Sequence, residues 1–384
     1  MELMSKVLFV FPTFGIGGTT VSTRNLISLL DKEGYDCWVM PMEPQGELLH
    51  LYDDVPRVET PFVIHALAVS GWKKETSWPR RIAAMLFRAL CKRTSWFEPW
   101  VIGRTLDKIV RNHHFDVVVA GQEALSTRLV SYAGLQNKVA WVRCDYLRWI
   151  KDKQIGRESH YARFKSIVCV SEKTCSDFKV LFPELASRIV CIPNPQDGTL
   201  MQKRADLVEQ EPRFKTENTT LVSVGRLDAI KRFDQIAPIA RQLKEQGLKF
   251  HWYLIGDGVE RKRIEDSIVE YGVENEVVML GAKANPYYYI KRADIMVCLS
   301  RSEACPRVVN EAKILHTPTV STDFPTIFEF IENGKTGLIS SLDEIPSSIL
   351  RLCSDEALYA SIKEKIRQFT FDNTELIAKV KEVL

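Results

Sequence analysis

"ADIMVCLSRSEACPRVVNEAKILHTPTVST", residues 293–322, decides the fold. It opens on a short apolar run, Ile295 to Leu299, and closes on another in "PTVST". Between them Pro306 suits the first position of a helix running through "RVVNEAKIL", since its φ is already helical and that position needs no N–H. Strand, loop, helix and strand in so short a span make one βαβ unit, which demands a parallel sheet.

The same alternation extends outward. Upstream, "TLVSVG", "FHWYLIG" and "VVMLG" each precede a helical stretch. Further back, "VLFVFP", "DCWVMPM", "FDVVVAG", "KVAWVR", "SIVCVS" and "RIVCIP" form a second series, separated by amphipathic segments of roughly 10 to 15 residues. The stretch 196–218 between the series is polar, carries Pro and Gly and lacks apolar periodicity, so it reads as a linker. The expectation is an α/β protein of two Rossmann-like domains facing a cleft. The first covers residues 1–195, the second covers 219–365, and a helix within 366–384 crosses back to the first. A length of 384 residues also asks for about two domains.

Composition excludes several classes. Hydrophobic residues make up 45% and charged residues 26%, as in soluble globular proteins. A formal charge of +3 means that an anionic partner must be met by local clustering, and nucleic acid is not implied. The nine cysteines are scattered singly with no C-x-x-C pair, which argues for reduced thiols and against a disulfide framework or zinc site. No metal-ligand cluster stands out among the seven histidines. The apolar run from Val7 to Pro12 is too short for a signal peptide or membrane span, so a cytoplasmic protein is expected.

In parallel sheets ligands bind at the carboxyl ends of the strands. After "LVSV" the chain turns at Gly225, and Arg226 and Lys231 follow; two cations there suit a diphosphate, or form a solvated basic loop. Gly256 and Gly258 mark the next strand-to-helix turn, a weak signal alone. Glu303 precedes the helix after Pro306 and Glu311 lies inside it, the five helical steps from Pro306 spanning ~8 Å. That spacing suits a ligand with hydroxyls at both ends and a diphosphate between, whose oxygens the free amides near Arg307 and Val308 would bind. The plainer alternative makes Glu303 a favourable helix-end charge and Glu311 an exposed surface residue.

"SVGRLDAIKRFD", "LIGDGVERKRIE", "VVMLG" and "LSRSEACPRVVNEAKILHTPTVSTD", in this order, resemble the donor domain of retaining family 4 glycosyltransferases with the GT-B fold. Glu303 and Glu311 match that family's E-x7-E motif. "FGIGGTT", with Gly17 and Gly18, resembles its glycine-rich loop, and Ser171, Glu172 and Asn194 match its "S-E" and "IPN" elements. The resemblance implies that Arg226 and Lys231 neutralise the leaving diphosphate, Glu303 holds the donor sugar and Glu311 the ribose. It places Gly17, Gly18, Arg143, Asn194, Gly225, Gly256, Cys305, Pro306, Arg307 and Val308 around the donor. It also implies a metal-independent, retaining hexosyl transfer with no cofactor, from a nucleotide sugar, UDP- rather than GDP-linked, to a glycan or lipid-linked saccharide.

Two positions depart from the pattern. Arg143 stands where many relatives carry a histidine, and with a pKa above ~12 it cannot act as a base. It suits a phosphate or an acidic substrate, leaving Asp145 as the nearest carboxylate on the acceptor side. Ala304 stands where glycine is common. The departure at Arg143 sustains an alternative reading, a catalytically silent, sugar-nucleotide-binding partner subunit. A dinucleotide-dependent oxidoreductase is disfavoured, because "VFPTFGIGGTT" lacks G-x-G-x-x-G and "DCWVMPM" does not end on an acid.

Residues 72–111 hold ten Lys or Arg against three acids, and four of the eight tryptophans. On a helix, Ile82, Met85, Leu86 and Ala89 share one face while Arg81, Arg88 and Lys92 share another. With Trp78 and Arg80, this pattern suits an anionic membrane surface and a peripheral location on the inner face of the cell membrane. The alternative is an ordinary packed helix with a solvated basic face.

Overall fold

The structure, a computed structural model, describes residues 5–15, 17–69 and 77–384. In the first half, the β-branched and aromatic runs become β1 (Lys6–Thr13), β2 (Asp36–Glu43), β3 (Val117–Ala120), β4 (Lys138–Val142), β5 (Ser166–Cys169) and β6 (Ile189–Cys191). In the second they become β7 (Thr219–Val224), β8 (Phe250–Ile255), β9 (Val277–Gly281), β10 (Ile295–Cys298), β11 (Thr319–Thr322) and β12 (Leu338–Ser340). Each set forms one parallel six-stranded sheet, ordered β2-β1-β3-β4-β5-β6 and β12-β11-β10-β7-β8-β9. The expected α/β architecture of two Rossmann-like halves is thus observed. Central strands such as β3, β4 and β10 are buried throughout, because helices cover both faces and alternation gives way to continuous apolar runs.

The strand orders fix where ligands can sit. In the first sheet the chain steps from β1 to β2 on one side and then resumes with β3 on the other. In the second it runs through β7, β8 and β9, then returns to place β10 on the free side of β7. At such reversals the two loops at the carboxyl ends diverge and open a crevice. The loops after β1 and β3, and those after β7 and β10, are therefore the places to search.

The chain divides into two compact units, Met1–Pro195 with Asn373–Leu384, and Gln196–Asp372. The stretch read as a linker is more ordered than its composition indicated. A helix, Gly198–Asp206, is capped by Asp197, whose carboxylate accepts from the amide of Leu200 at 2.8 Å. Met201 and Ala205, one turn apart, are buried within the second unit, and Arg292 donates to the Ala205 carbonyl at 2.7 Å. Two apolar positions are enough to seat so short a helix, too few to register as a period. At the far end, the helix Thr374–Val383 lies in the first unit with Leu376, Ile377, Val380 and Val383 buried. Asn137 donates to the Leu384 carbonyl at 2.7 Å, and Lys381 pairs with Glu33.

Candidate functional site

In the second unit the chain leaves β7 at Gly225. Asp228 shapes the loop that follows, accepting from the amides of Ile230 (3.1 Å) and Lys231 (3.2 Å). The Lys231 side chain then lies along Gly225 and forms an ion pair with Glu303, in the loop after β10. The two loops are tied together, since the Arg301 amide donates to the Ile230 carbonyl at 2.8 Å. Ser300 donates to the Glu303 carboxylate at 2.8 Å, and Thr326 donates to its backbone carbonyl at 2.6 Å. Lys231 and Glu303 thus meet at the strand-order reversal of the second sheet. Burial works against the Lys231 ammonium, but Glu303, with Cys298 and Asp228 nearby, outweighs it and holds the pKa above that of a free lysine. Arg226 projects beside them, 67% exposed, and pairs with Asp228 at 2.9 Å.

The helix after this loop begins at Arg307, so Pro306 is its cap residue rather than its first turn. The shift reflects ψ of 82° at Pro306, which is not helical. No side chain caps the helix start. Glu311 is buried, with only 6% of its side chain exposed, and Arg307 reaches it one turn away at 2.8 Å. An exposed surface role for Glu311 is thereby ruled out. Cys305 and Ala304 are buried, and Val308 is half-buried. Ala304 is not among the described residues with positive φ, so its Cβ brings no backbone strain to the loop.

Gly256 has a clear backbone reason. Its φ is +149°, and an added Cβ would lie 1.8 Å from the Gly225 carbonyl oxygen. Gly258 is similarly pressed, with a Cβ position 2.3 Å from the Leu227 carbonyl. These glycines let the β7 and β8 loops touch.

In the first unit, Gly17 caps the helix α1 (Gly18–Lys32) in an extended conformation. A Cβ there would meet nothing within 4 Å. Arg143 follows β4 and is held on several sides. Its Nε donates to the Gly121 carbonyl at 2.9 Å, its Nη1 to Asn194, and its backbone amide to Glu123 at 2.8 Å. Asn194 and Glu123 are both buried. Asp145 caps the helix Tyr146–Lys153, accepting from the Arg148 amide at 3.0 Å, which is a structural task. Ser171 caps the helix Glu172–Leu181 in the same way. Glu123 and Ser300 escaped the sequence reading, although each stands within three residues of a strand's carboxyl end, where a polar side chain has somewhere to act.

The first unit also contains a cavity of 1210 Å³ at the carboxyl ends of β1 and β2, lined by Phe14, Glu43, Pro44 and Gln45 from the loops there. Its far wall is built by α2 (Phe62–Ala68) and α3 (Trp78–Arg93), the latter contributing Arg80, Arg81, Arg88 and Lys92. Arg81 and Arg88, read as membrane-facing, line this cavity and are half-buried. Met85 (51%) and Leu86 (61%) are more exposed than either arginine. The helix packs through Ala84; of the apolar face read from the sequence, Met85 and Ala89 line the same cavity as the arginines, Ile82 is half-buried and Leu86 is exposed, so the two faces are not kept apart. Trp78, Trp96 and Trp100, the last two near the start of α4 (Phe97–His113), are exposed as well. Trp72 lies outside the described residues.

A protein-family model described as Glycosyl transferases group 1 matches residues 205–369. An uncharacterized glycosyltransferase of Methanocaldococcus jannaschii is 22% identical over 237 residues, 57% of this chain and 58% of that protein. A putative colanic acid biosynthesis glycosyltransferase, WcaL of Salmonella typhimurium, is 28% identical over 166 residues, 38% of this chain and 40% of that one. The chain spans about half the length of the curated relatives it matches. Among solved structures, a mutant of S. aureus TarM in complex with Fondaparinux, alpha-GlcNAc-glycerol and UDP superposes with a TM-score of 0.76 over 99% of each chain, at 12% identity. Two parallel six-stranded sheets, the match over residues 205–369 and the full-length likeness in fold lead to one assignment: the second unit is similar to the Glycosyl transferases group 1 family, and the chain has the GT-B fold.

Proposed function

We propose that this protein transfers a hexosyl group from a UDP-sugar to a saccharide acceptor, with retention of anomeric configuration, during assembly of a cell-surface polysaccharide. The observation that carries this reading is the Lys231–Glu303 pair at the strand-order reversal of the second sheet, with buried Glu311 eight positions further on. In the reaction the bond from the anomeric carbon to the diphosphate oxygen breaks and a bond to the acceptor oxygen forms. The acceptor's proton passes to the departing phosphate, and UDP leaves. Arg226 and Lys231 neutralise the charge growing on the diphosphate, a fixed electrostatic contribution that strengthens toward the transition state. Amides at the start of the helix Arg307–Ile314 add donors on the same group. Glu303 accepts from hydroxyls of the donor sugar and Glu311 from the ribose. Arg143, always charged and fixed by Asn194 and Gly121, serves as a cation toward substrate rather than as a base.

UDP bound to TarM supports the choice of base, and the name of WcaL supports a polysaccharide context. The outward Trp78, Leu86, Leu90, Trp96 and Trp100 support a peripheral location on an anionic membrane, with Arg80 beside them. Among the described residues no helix is long and apolar enough to cross a membrane. The test is UDP release from a panel of UDP-hexoses with acceptor, for wild type, Lys231→Ala and Glu303→Ala. Turnover that falls at least ~10²-fold in each variant is the expected result. Donor binding without turnover by wild type, whatever the acceptor, would instead favour a silent partner subunit.

A further inference from the structure

We infer that the cavity of the first unit is a seat for a saccharide bearing a phosphate or diphosphate, so that the acceptor is anionic; this rests on the transferase reading above. Five cations line the cavity, Arg57, Arg80, Arg81, Arg88 and Lys92, against two carboxylates, Glu43 and Glu59. Arginine and lysine offer hydrogen-bond donors and no acceptor, so a set of this kind matches a ligand whose oxygens only accept. Neutral sugar hydroxyls would call for more carboxylates and amides.

The placement of α3 makes the argument sharper. Arg81, Arg88 and Lys92 recur at helical spacing on the side facing the cavity, with the small Ala84 and Ala89 leaving room between them. The helix half-buries two arginines while Leu86 and Leu90 face outward, the reverse of what burial of apolar area would select. Some of these cations are pre-set. Arg88 donates to the Val69 carbonyl at 3.0 Å, and Arg57 is held by Asp53 at 3.2 Å and lies over the Phe14 ring. The volume holds more than one sugar ring, with Phe14, Phe62 and Met85 as apolar surfaces for ring faces. The cavity also opens at the carboxyl ends of β1 and β2, beside the glycine loop after β1, whereas the donor's diphosphate is claimed by Arg226 and Lys231 of the second unit.

The probe is inorganic pyrophosphate, titrated calorimetrically into the full chain with UDP held saturating, so that the donor's diphosphate subsite is already filled. Binding that weakens tenfold or more in Arg80→Ser/Lys92→Ser, and weakens with added salt, while UDP affinity stays unchanged, is the expected result. Both residues are exposed, so the variant should fold. Pyrophosphate that fails to bind wild type, or binds wild type and variant equally, overturns the proposal. If UDP itself does not bind, the transferase reading fails, and the same titration without UDP still judges the cavity. Vesicles with anionic lipid that pyrophosphate displaces would mark the phosphate as lipid-linked; vesicles that it leaves bound would mark it as that of a soluble saccharide.

Discussion

Lys231 and Glu303 are bound to each other by more than proximity, and a double-mutant cycle measures how much. Their side chains keep 20% and 16% of their surface exposed, so the pair sits between an exposed ion pair, worth ~0–1 kcal/mol, and a fully buried one, whose disruption costs ~3–5 kcal/mol. Lys231→Met leaves the Glu303 carboxylate with the Ser300 hydroxyl as its remaining side-chain donor here, and the expected loss is about 2 kcal/mol. Glu303→Gln removes the charge that offsets burial of the ammonium. The double variant should therefore lose less than the sum of the two, by ~1–2 kcal/mol. Urea unfolding, followed through the transition of the second unit, supplies all four values. The pH dependence adds a second check. Because the folded Lys231 pKa is raised, the pair's contribution is complete below the unfolded value of ~10.4 and vanishes as pH climbs through the folded one. The stability gap between wild type and Lys231→Met should stay level from neutrality to about pH 9 and close only in stronger alkali. Single-variant losses that add within ~0.5 kcal/mol, or a gap that closes between pH 7 and 8, would refute the reasoning.

Four other outcomes are expected. Gly256→Ala should destabilise by ~2–5 kcal/mol, through overpacking against Gly225 and a strained φ, as read by chemical denaturation. Gly17→Ala, with open space around it, should leave stability within ~0.5 kcal/mol, and any loss of UDP affinity it causes would report contact with ligand. Asp145→Ala should cost ~1 kcal/mol of stability through the lost cap with no change in UDP binding, a result read by calorimetry and thermal shift together. Burial, with Arg128 and Arg163 nearby, lowers the His160 pKa to about 4; its neutral form is therefore favoured by folding, and stability should fall as pH drops from ~6.5 toward 4. The slope should flatten in His160→Gln, whose amide can still reach the Thr127 hydroxyl that His160 contacts at 2.9 Å.

The parallel sheets were legible because strands buried on both faces leave continuous runs such as "VVVA" and "IMVC", which little else in a soluble chain produces. Glu303 and Lys231 were legible because each follows a strand end, and adjacency of β7 and β10 brings them together. The helix Gly198–Asp206 was not, since Met201 and Ala205 are its only buried residues and one pair sets no period. The orientation of α3 was hidden for a different reason. Periodicity gives the faces of a helix but not which one meets the domain, and here Ala84 is the buried residue while Met85, Leu86 and Leu90 stay exposed. Glu123 was passed over because its role depends on Arg143, twenty positions away in sequence and neighbouring only once β3 and β4 pair.

The helix Thr374–Val383 belongs to the first unit, yet the ribosome makes it after all 177 residues from Gln196 to Asp372. At ~5–20 residues per second the nascent first unit waits about 10–35 s for its last element. During that interval the seat for Leu376, Ile377, Val380 and Val383 stands open as bare apolar surface. The first unit is thus the earlier to be synthesised but cannot be the earlier to be completed, and its vulnerability to aggregation during synthesis is set by how quickly the rest of the chain is translated.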